Sequence, residues 1–241
     1  MTGRRYSTFL LDLDHTLFDS DASELAAFSQ AMGLAGITAP DGHAEAFRRI
    51  NLGLWAAVER GELTPQQVKS LRFERLLAEA ALEGDHAAMA HAYATGLADN
   101  GDLYPGALDV LRSLRRHARL ALVTNGLSEV QRVRIERTGI LELFDAVVIS
   151  AEVGTAKPAK EIFDIAFEML GGPARASAIM VGDNLASDIM GGSNYGIATC
   201  WYNPRQRPAG PDAGFSHQIR ALEELAAFVD RRPGSGRHNH T

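Results

Sequence analysis

Cysteine is scarce in this sequence, and long apolar runs are missing. One cysteine, Cys200, stands among 241 residues, so the chain cannot form an internal disulfide. Because structural disulfides belong to oxidising compartments, we expect a cytoplasmic protein. No apolar stretch approaches the roughly 20 residues that a transmembrane helix needs, and the first residues lack the apolar segment of a signal peptide. The sequence therefore predicts no membrane association.

Positively charged residues are also fewer than negatively charged ones. The 24 Lys and Arg residues are outnumbered by 30 Asp and Glu residues, which gives a formal charge of −6. Proteins that bind nucleic acid polymers usually carry a basic surplus, so this balance argues against that class of partner. Hydrophobic residues make up 46% and charged residues 22%, as in ordinary globular proteins. This length allows one large domain or a core domain with a smaller insert.

Sequence motifs of several enzyme classes are missing as well. We find no Gly-x-Ser-x-Gly nucleophile elbow, no Gly-x4-Gly-Lys-Ser/Thr phosphate loop and no Gly-x-Gly-x-x-Gly dinucleotide fingerprint. These absences leave little support for a serine nucleophile, a P-loop nucleotide site or a dinucleotide cofactor. The residues that could carry chemistry are therefore to be sought among the acids that follow the apolar runs.

Helical patterns fill the stretch from about residue 20 to residue 102. This stretch is rich in Ala, Leu, Glu and Arg and predicts four or five helices. The clearest helix start is Thr64-Pro65-Gln66-Gln67, which combines an N-cap threonine, a proline at the first helical position and a capping-box glutamine. The length of this helical block is that of a small inserted domain.

From Leu103 onward, short apolar runs alternate with helical patterns. The runs predict four strands, which are Leu120–Val123, Ala146–Ile149, Ala178–Val181 and Ile197–Trp201. Helices of about ten residues between strands imply right-handed crossovers and a parallel sheet. A last helix is predicted at Ile219–Val229.

An earlier apolar run, Thr8–Leu11, predicts the first strand of the same sheet. The helical block is then an insert between this strand and the rest of the sheet. We therefore predict an α/β protein with a Rossmann-like core domain formed by residues 1–19 and 103–230. Residues 20–102 form a helical cap domain, and residues 231–241 form a disordered tail.

Two acids follow the first strand directly. Asp12 and Asp14 are two positions apart, so in extended backbone they begin on the same side of the chain. Two carboxylates at the end of a buried strand repel each other and lose hydration. A bound cation, or a division of labour between a nucleophile and a proton carrier, would account for the pair. A solvated turn is the alternative, since Asp and Thr are common in turns.

Polar residues also follow three later strands of the predicted sheet. These groups are Thr124-Asn125-Gly126, Lys157-Pro158, and Gly182-Asp183 with Asp188. Each group alone reads as a turn or a surface residue. In a parallel sheet, however, the carboxyl ends of strands meet at one edge, where ligands bind. The repeated placement after successive strands therefore predicts one shared site.

The ordered set of these groups resembles the four motifs of the haloacid dehalogenase (HAD) superfamily. The resemblance covers the chain apart from its tail, and the helical insert resembles the C1 type of cap. It implies that Asp12 attacks a phosphoryl group and forms an aspartyl-phosphate. It also implies a Mg²⁺ ion held by Asp12, the Asp14 carbonyl and Asp183, because hard oxygen ligands suit this ion.

The same resemblance implies roles for the remaining motif residues. Lys157 adds positive charge, while the Thr124 hydroxyl and the Asn125 backbone N–H bind phosphate oxygens. Asp188 lies behind the metal site and orients a metal-bound water or Lys157. Asp14 acts as general acid and then as general base. To donate a proton near neutral pH, Asp14 needs a pKa above the ~3.9 of a free aspartate.

Asp14 also separates reaction classes within the superfamily. Its dehalogenases displace a halide, need no proton donor and lack the second aspartate, so Asp14 favours phosphate transfer over dehalogenation. Phosphomutases keep both aspartates, so the motif leaves them open. A binding or regulatory module that keeps the fold without turnover is a third alternative. It is disfavoured because every motif residue is present.

The leaving group is expected to meet the cap and the mouth of the core site. Trp55 or Phe18 could stack on a flat base and Arg72 could meet a polar edge, although Trp55 could equally belong to the cap core. The stretches 51–55, 131–139, 152–158 and 198–203 resemble the YjjG-type house-cleaning pyrimidine nucleotidases. This implies a small phosphate ester as substrate, a nucleoside monophosphate, with a sugar phosphate or phosphoglycolate as the alternative. The sequence does not indicate an oligomeric state.

Overall fold

A six-stranded parallel sheet forms the centre of the molecule. The computed structural model describes residues 5–37, 41–210 and 213–230. The strands are β1 (Thr8–Leu11), β2 (Arg119–Thr124), β3 (Ala146–Ile149), β4 (Ala178–Gly182), β5 (Ala198–Tyr202) and β6 (His217–Ile219). They lie in the order β3-β2-β1-β4-β5-β6. The predicted α/β fold, with the first apolar run inside the sheet, is confirmed.

Strand β1 lies between β2 and β4 and is buried along its whole length. Leu10 is in register with Ala121 of β2 and with Met180 of β4. Because side chains alternate across a strand, Phe9 and Leu11 join the apolar cluster on one face, whereas Leu10 joins the cluster on the other. After β1, the strands β2 and β3 are added on one side of it, and the strands β4, β5 and β6 are then added on the other side. Such a switch point opens a crevice beyond the strand ends.

Nine α-helices accompany the sheet in the described part of the chain. They are α1 (Ser20–Leu34), α2 (Asp41–Glu59), α3 (Pro65–Ala80), α4 (His86–Asp99), α5 (Ala107–Arg115), α6 (Ser128–Arg137), α7 (Ser150–Val153), α8 (Lys160–Met169) and α9 (Met190–Tyr195). Apolar residues of α5 pack on one face of the sheet, and those of α8 pack on the other. No helix of the described ranges is both long and apolar enough to cross a membrane.

Helices α1–α4 pack around a second apolar cluster, to which Leu127 and Val130 at the start of α6 also contribute. The rings of Phe47, Phe73 and Tyr93 meet in it, with centroids 5.1–5.6 Å apart. Helix α3 begins at the Thr64 cap with both capping-box contacts, as the sequence predicts. Helices α1 and α4 approach each other closely at Gly96. A Cβ at this position would lie 2.7 Å from Ala27 Cα, so glycine is required there.

The chain enters and leaves this helical block at adjacent points. Asp19 N donates to Asp102 O at 2.9 Å, and Tyr104 N donates to Leu17 O at 2.8 Å. The assignment of residues 20–102 to a cap domain and of 1–19 and 103–230 to a core domain stays a prediction. The predicted tail, 231–241, lies outside the described residues.

The predicted last helix, Ile219–Val229, is wrong. Its first residue belongs to β6, which pairs in parallel with the edge of β5, and a short 3₁₀ helix, Leu222–Ala227, follows. The open edge of β5 offers backbone partners, and Asn203 N donates to Ile219 O at 2.8 Å. Pairing at the sheet edge therefore outweighs the helical propensity of a Glu- and Ala-rich segment. A π-helical turn, Leu185–Ile189, leads from the end of β4 into α9.

Candidate active site

A cavity of about 720 Å³ opens between the carboxyl edge of the sheet and helices α1–α4. The residues that follow the strands line its floor, and they include Asp12, Asp14, Asn125, Lys157, Asp183 and Asp188. Residues of α1–α4 line its upper wall. The structure thus brings the sequence-predicted acids and the lysine together at the edge where parallel strands end.

Lys157 lies at the centre of the buried charges. Its Nζ is 2.6 Å from Asp12 Oδ1 and 2.7 Å from Asp188 Oδ1, and it donates to the Val123 carbonyl at 2.7 Å. Asn125 fixes the backbone of this lysine from both sides, because its amide donates to Lys157 O and its carbonyl accepts from Lys157 N, each at 2.9 Å. The Asn125 side chain therefore positions the lysine, a role that the sequence did not indicate.

The protonation of this cluster follows from its burial. Burial raises the pKa of Asp12 to about 7, against the attraction of Lys157 and with a further rise caused by Asp188. Burial disfavours the charge on Lys157, but Asp12 and Asp188 outweigh it and raise the pKa of the ammonium group. The lysine is therefore charged, and it has more carboxylate neighbours than a single positive charge can neutralise.

The acids at this edge fit a hard cation. Asp12, Asp183 and Asp188 each offer a carboxylate oxygen, and the three oxygens lie within 4.8 Å of one another. Burial also raises the pKa values of Asp183 and Asp188. Strand β4 ends in Gly182, where a Cβ would lie 2.1 Å from Asp188 Oδ2, so only glycine permits this approach. An all-oxygen set with excess negative charge suits Mg²⁺.

Metal-free protein is expected to lose stability as the pH rises. A carboxyl group with a raised folded pKa stabilises the fold below its unfolded pKa near 3.9, and this contribution is lost as the pH rises through the folded pKa. For Asp12 that value is about 7. Calorimetry with a chelator should therefore give a lower Tm at pH 8 than at pH 5, and Mg²⁺ should raise the Tm more at pH 8. Equal Mg²⁺ increments at both pH values would contradict a metal site here.

Asp14 is held by three donors. Ser20 and Arg134 Nη1 donate to its Oδ1, the latter at 2.6 Å, and Gln131 Nε2 donates to its Oδ2 at 2.6 Å. Burial alone would raise the pKa of Asp14, but Arg134, followed by Ser20 and Gln131, lowers it below its usual value. The sequence-based requirement of a raised pKa is thus not met in this arrangement, because a buried arginine faces the carboxylate.

Arg134 connects Asp14 to the helical block. Its Nε donates to Leu97 O of α4 at 2.8 Å, its Nη2 donates to Ser23 Oγ of α1 at 2.7 Å, and its guanidinium lies over the Phe18 ring at 4.5 Å. Neither Arg134 nor Gln131 was among the residues predicted from the sequence. Their spacing of three places them on one face of α6. In a helix with two other arginines, however, nothing in the sequence distinguishes the buried one.

The other predicted residues divide between the cavity and the core. Trp55 and Arg72 line the cavity. Phe18 is fully buried beneath Arg134 and is absent from the cavity wall, so the expectation that it stacks on a substrate is corrected. Thr124 is fully buried too, and its hydroxyl accepts from Gln131 Nε2 at 2.9 Å. The hydroxyl keeps its own proton to donate.

The fold and this site define a family. The model of the haloacid dehalogenase-like hydrolases matches residues 6–196, and the chain belongs to that family. The predictions of a HAD superfamily member and of a hydrolase are confirmed.

Three relatives show which members this chain is similar to. The HAD-hydrolase YfnB of Bacillus subtilis is 35% identical over 92% of this chain and 94% of its own length. Its crystal structure, bound to magnesium, matches with a TM-score of 0.85 over 92% of this chain and 97% of that chain. The pyrimidine 5′-nucleotidase YjjG of Escherichia coli is 34% identical over 93% of this chain and 98% of its length. The pyrimidine 5′-nucleotidase PynA of Streptococcus pneumoniae is 32% identical, with 94% and 96% covered.

Proposed function

We propose that this protein is a Mg²⁺-dependent phosphomonoesterase that acts through an aspartyl-phosphate on Asp12, with pyrimidine nucleoside 5′-monophosphates as substrates. The observation that carries the proposal is the placement of two functional carboxylates in one cavity. Asp12 contacts Lys157 at its floor, and Asp14 is held two residues further along. A phosphate ester needs both a nucleophile and a proton carrier, whereas halide displacement needs only the first.

The reaction proceeds in two displacements at phosphorus. The Asp12 carboxylate attacks, a P–O bond to Asp12 forms as the ester P–O bond breaks, and the leaving alkoxide takes a proton from Asp14. Water then attacks the phosphorus, gives its proton to Asp14 and releases inorganic phosphate, which restores Asp12. Lys157 offsets the charge between the carboxylate and the phosphate throughout.

The lowered pKa of Asp14 suits the second step, in which a carboxylate accepts a proton. For the first step, the negative charge of the incoming phosphate raises the pKa of nearby carboxyl groups and allows Asp14 to carry a proton. Asp12, the Asp14 carbonyl and Asp183 would hold the Mg²⁺ ion. When bound, the ion would neutralise phosphate charge and reduce the repulsion that Asp12 meets.

The proposed substrate class rests on the relatives and on the cavity. Two of the relatives are pyrimidine 5′-nucleotidases, and this chain matches each of them over nearly its whole length. The cavity continues from Asp12 to Trp55 and Arg72, which leaves room for a group much larger than phosphate. The magnesium in the YfnB structure supports the choice of metal.

A panel of phosphate esters tests this proposal. The values of kcat/KM are compared for dUMP, dTMP, dAMP, ribose 5-phosphate, phosphoglycolate and p-nitrophenyl phosphate, with Mg²⁺ and with a chelator. We expect dUMP and dTMP to be preferred and all hydrolysis to need the metal. Preference for ribose 5-phosphate or phosphoglycolate would replace the nucleotidase by a sugar-phosphate phosphatase. Absence of phosphate release from every ester would overturn the phosphatase.

A further inference from the structure

We infer that Asn51, Arg72 and Tyr93 form a recognition site for the base of the substrate, specific for a pyrimidine that carries ring carbonyl oxygens. The inference rests on the proposed function and names the residues that would select among its substrates. All three line the same cavity as Asp12, and they come from the three helices α2, α3 and α4.

Two of these side chains carry buried polar atoms that are not fully satisfied by the protein. Asn51 and Tyr93 are 8% and 1% exposed, and within the described ranges Asn51 Oδ1 has no hydrogen bond, while the Tyr93 hydroxyl has only the neighbouring Arg72 as a partner and makes no hydrogen bond of good geometry. A buried polar group that lacks a partner destabilises the fold, because it has lost its hydration without replacing it. Two such groups that line one cavity indicate that a ligand supplies the missing partners.

Arg72 adds a buried charge with donors to spare. It is 2% exposed, and its guanidinium lies 4.9 Å from the centroid of the Tyr93 ring. In the described part of the chain, its Nε donates to Val68 O of its own helix at 3.3 Å, and its guanidinium also interacts with the Tyr93 hydroxyl. Nε is one of five N–H donors of an arginine, so the terminal amino groups retain donors for an acceptor in the cavity.

The donor and acceptor pattern selects the chemistry of the ligand. Arg72 and the Tyr93 hydroxyl offer donors, which match a ring carbonyl oxygen, and Asn51 Oδ1 offers an acceptor, which matches a ring N–H. Uracil and thymine present carbonyl oxygens on both sides of an N–H. Glu24 lines the same cavity and lies close enough to Arg72 to interact with its charge, so the site favours a neutral group over a second phosphate.

Two variants test this assignment. Tyr93→Phe removes a hydroxyl but keeps the ring that packs against Phe47 and Phe73, so the fold should be unaffected, and Arg72→Met removes the charged donors. The readout is the ratio of kcat/KM for dUMP to kcat/KM for p-nitrophenyl phosphate, measured within each variant. We expect this ratio to fall roughly fivefold to tenfold in Tyr93→Phe and roughly 10- to 100-fold in Arg72→Met. Arg112→Met, an exposed arginine of α5, is the matched control and should keep the ratio.

The outcomes separate this inference from the proposed function. If the wild type hydrolyses p-nitrophenyl phosphate but treats dUMP, dAMP and ribose 5-phosphate alike, the base site is overturned and the phosphatase stands. If the wild type prefers dUMP and the ratio is unchanged in both variants, the preference has another source and the assignment is overturned. Binding of deoxyuridine, measured by calorimetry, makes the same comparison without turnover. Weaker binding to both variants would support the site even if the phosphatase failed, and equal binding to wild type and variants would overturn it.

Discussion

Asp12→Asn is expected to lower phosphate release from dUMP by roughly 10⁴-fold or more, because loss of a nucleophile removes the covalent route entirely. The substitution nearly preserves shape, and the new amide oxygen can still accept from Lys157. Lys157 also keeps its contacts with Asp188 and with the Val123 carbonyl. The variant should therefore fold, and its inactivity should reflect chemistry and not unfolding.

Three measurements complete this test. Steady-state phosphate release gives the rate, thermal unfolding checks the fold, and mass spectrometry after acid quenching looks for a phosphorylated Asp12 in the wild type alone. Asp109→Asn is the matched control, since Asp109 is an exposed residue of α5 whose side chain is 87% accessible. Substantial turnover by Asp12→Asn, with Asp109→Asn at wild-type activity, would contradict the covalent mechanism.

Lys157→Met is expected to damage both activity and stability. Removal of a charge that faces the transferring phosphate should lower kcat by roughly 10²- to 10³-fold. Breaking a buried ion pair from one side costs about 3–5 kcal/mol. Asp12 and Asp188 would then lack their shared cation, so their pKa values rise further. Because these acids are neutral at low pH, the loss of stability should be smaller at pH 5 than at pH 8.

Denaturant unfolding at the two pH values, beside activity assays, checks this second prediction. Lys160→Met serves as control, because Lys160 is an exposed residue whose partner, Asp164, lies on the surface of the same helix. That variant should differ little from the wild type, as surface ion pairs contribute about 0–1 kcal/mol. A Lys157→Met protein as stable as wild type at pH 8 would contradict the conclusion that Lys157 stabilises the buried carboxylates of Asp12 and Asp188.

The convergence of the candidate site could be predicted from the sequence because its residues follow strand ends. Apolar runs identify buried strands, and parallel strands end at one edge, so Asp12, Lys157 and Asp183 had to converge. Gly182 fits the same convergence, because any side chain at this position would clash with Asp188. The helical insert was also predictable, since its caps and apolar spacing are local signals.

Other features depend on contacts between distant segments and leave no local signal. Arg134 is buried because residues 37 and 120 positions away accept its hydrogen bonds. The pKa of Asp14 depends on that contact, so it could not be inferred from residues 12–19. Phe18 lies beneath the same guanidinium and is therefore unavailable to a substrate. The segment after Ile219 has a helical composition, but the free edge of β5 determines its conformation.

The hydrogen bonds of Arg134 bear on how far the helical block could be exchanged between relatives. Of the two acceptors that α1 and α4 provide, the Leu97 carbonyl is backbone, and any residue in that helix register supplies it. Ser23 instead accepts through its side chain. A helix transplanted from a relative that has no acceptor at position 23 would therefore leave the buried Arg134 guanidinium partly unsatisfied. Compatibility of a transplanted block with this core therefore depends on one hydroxyl and on the register of one helix.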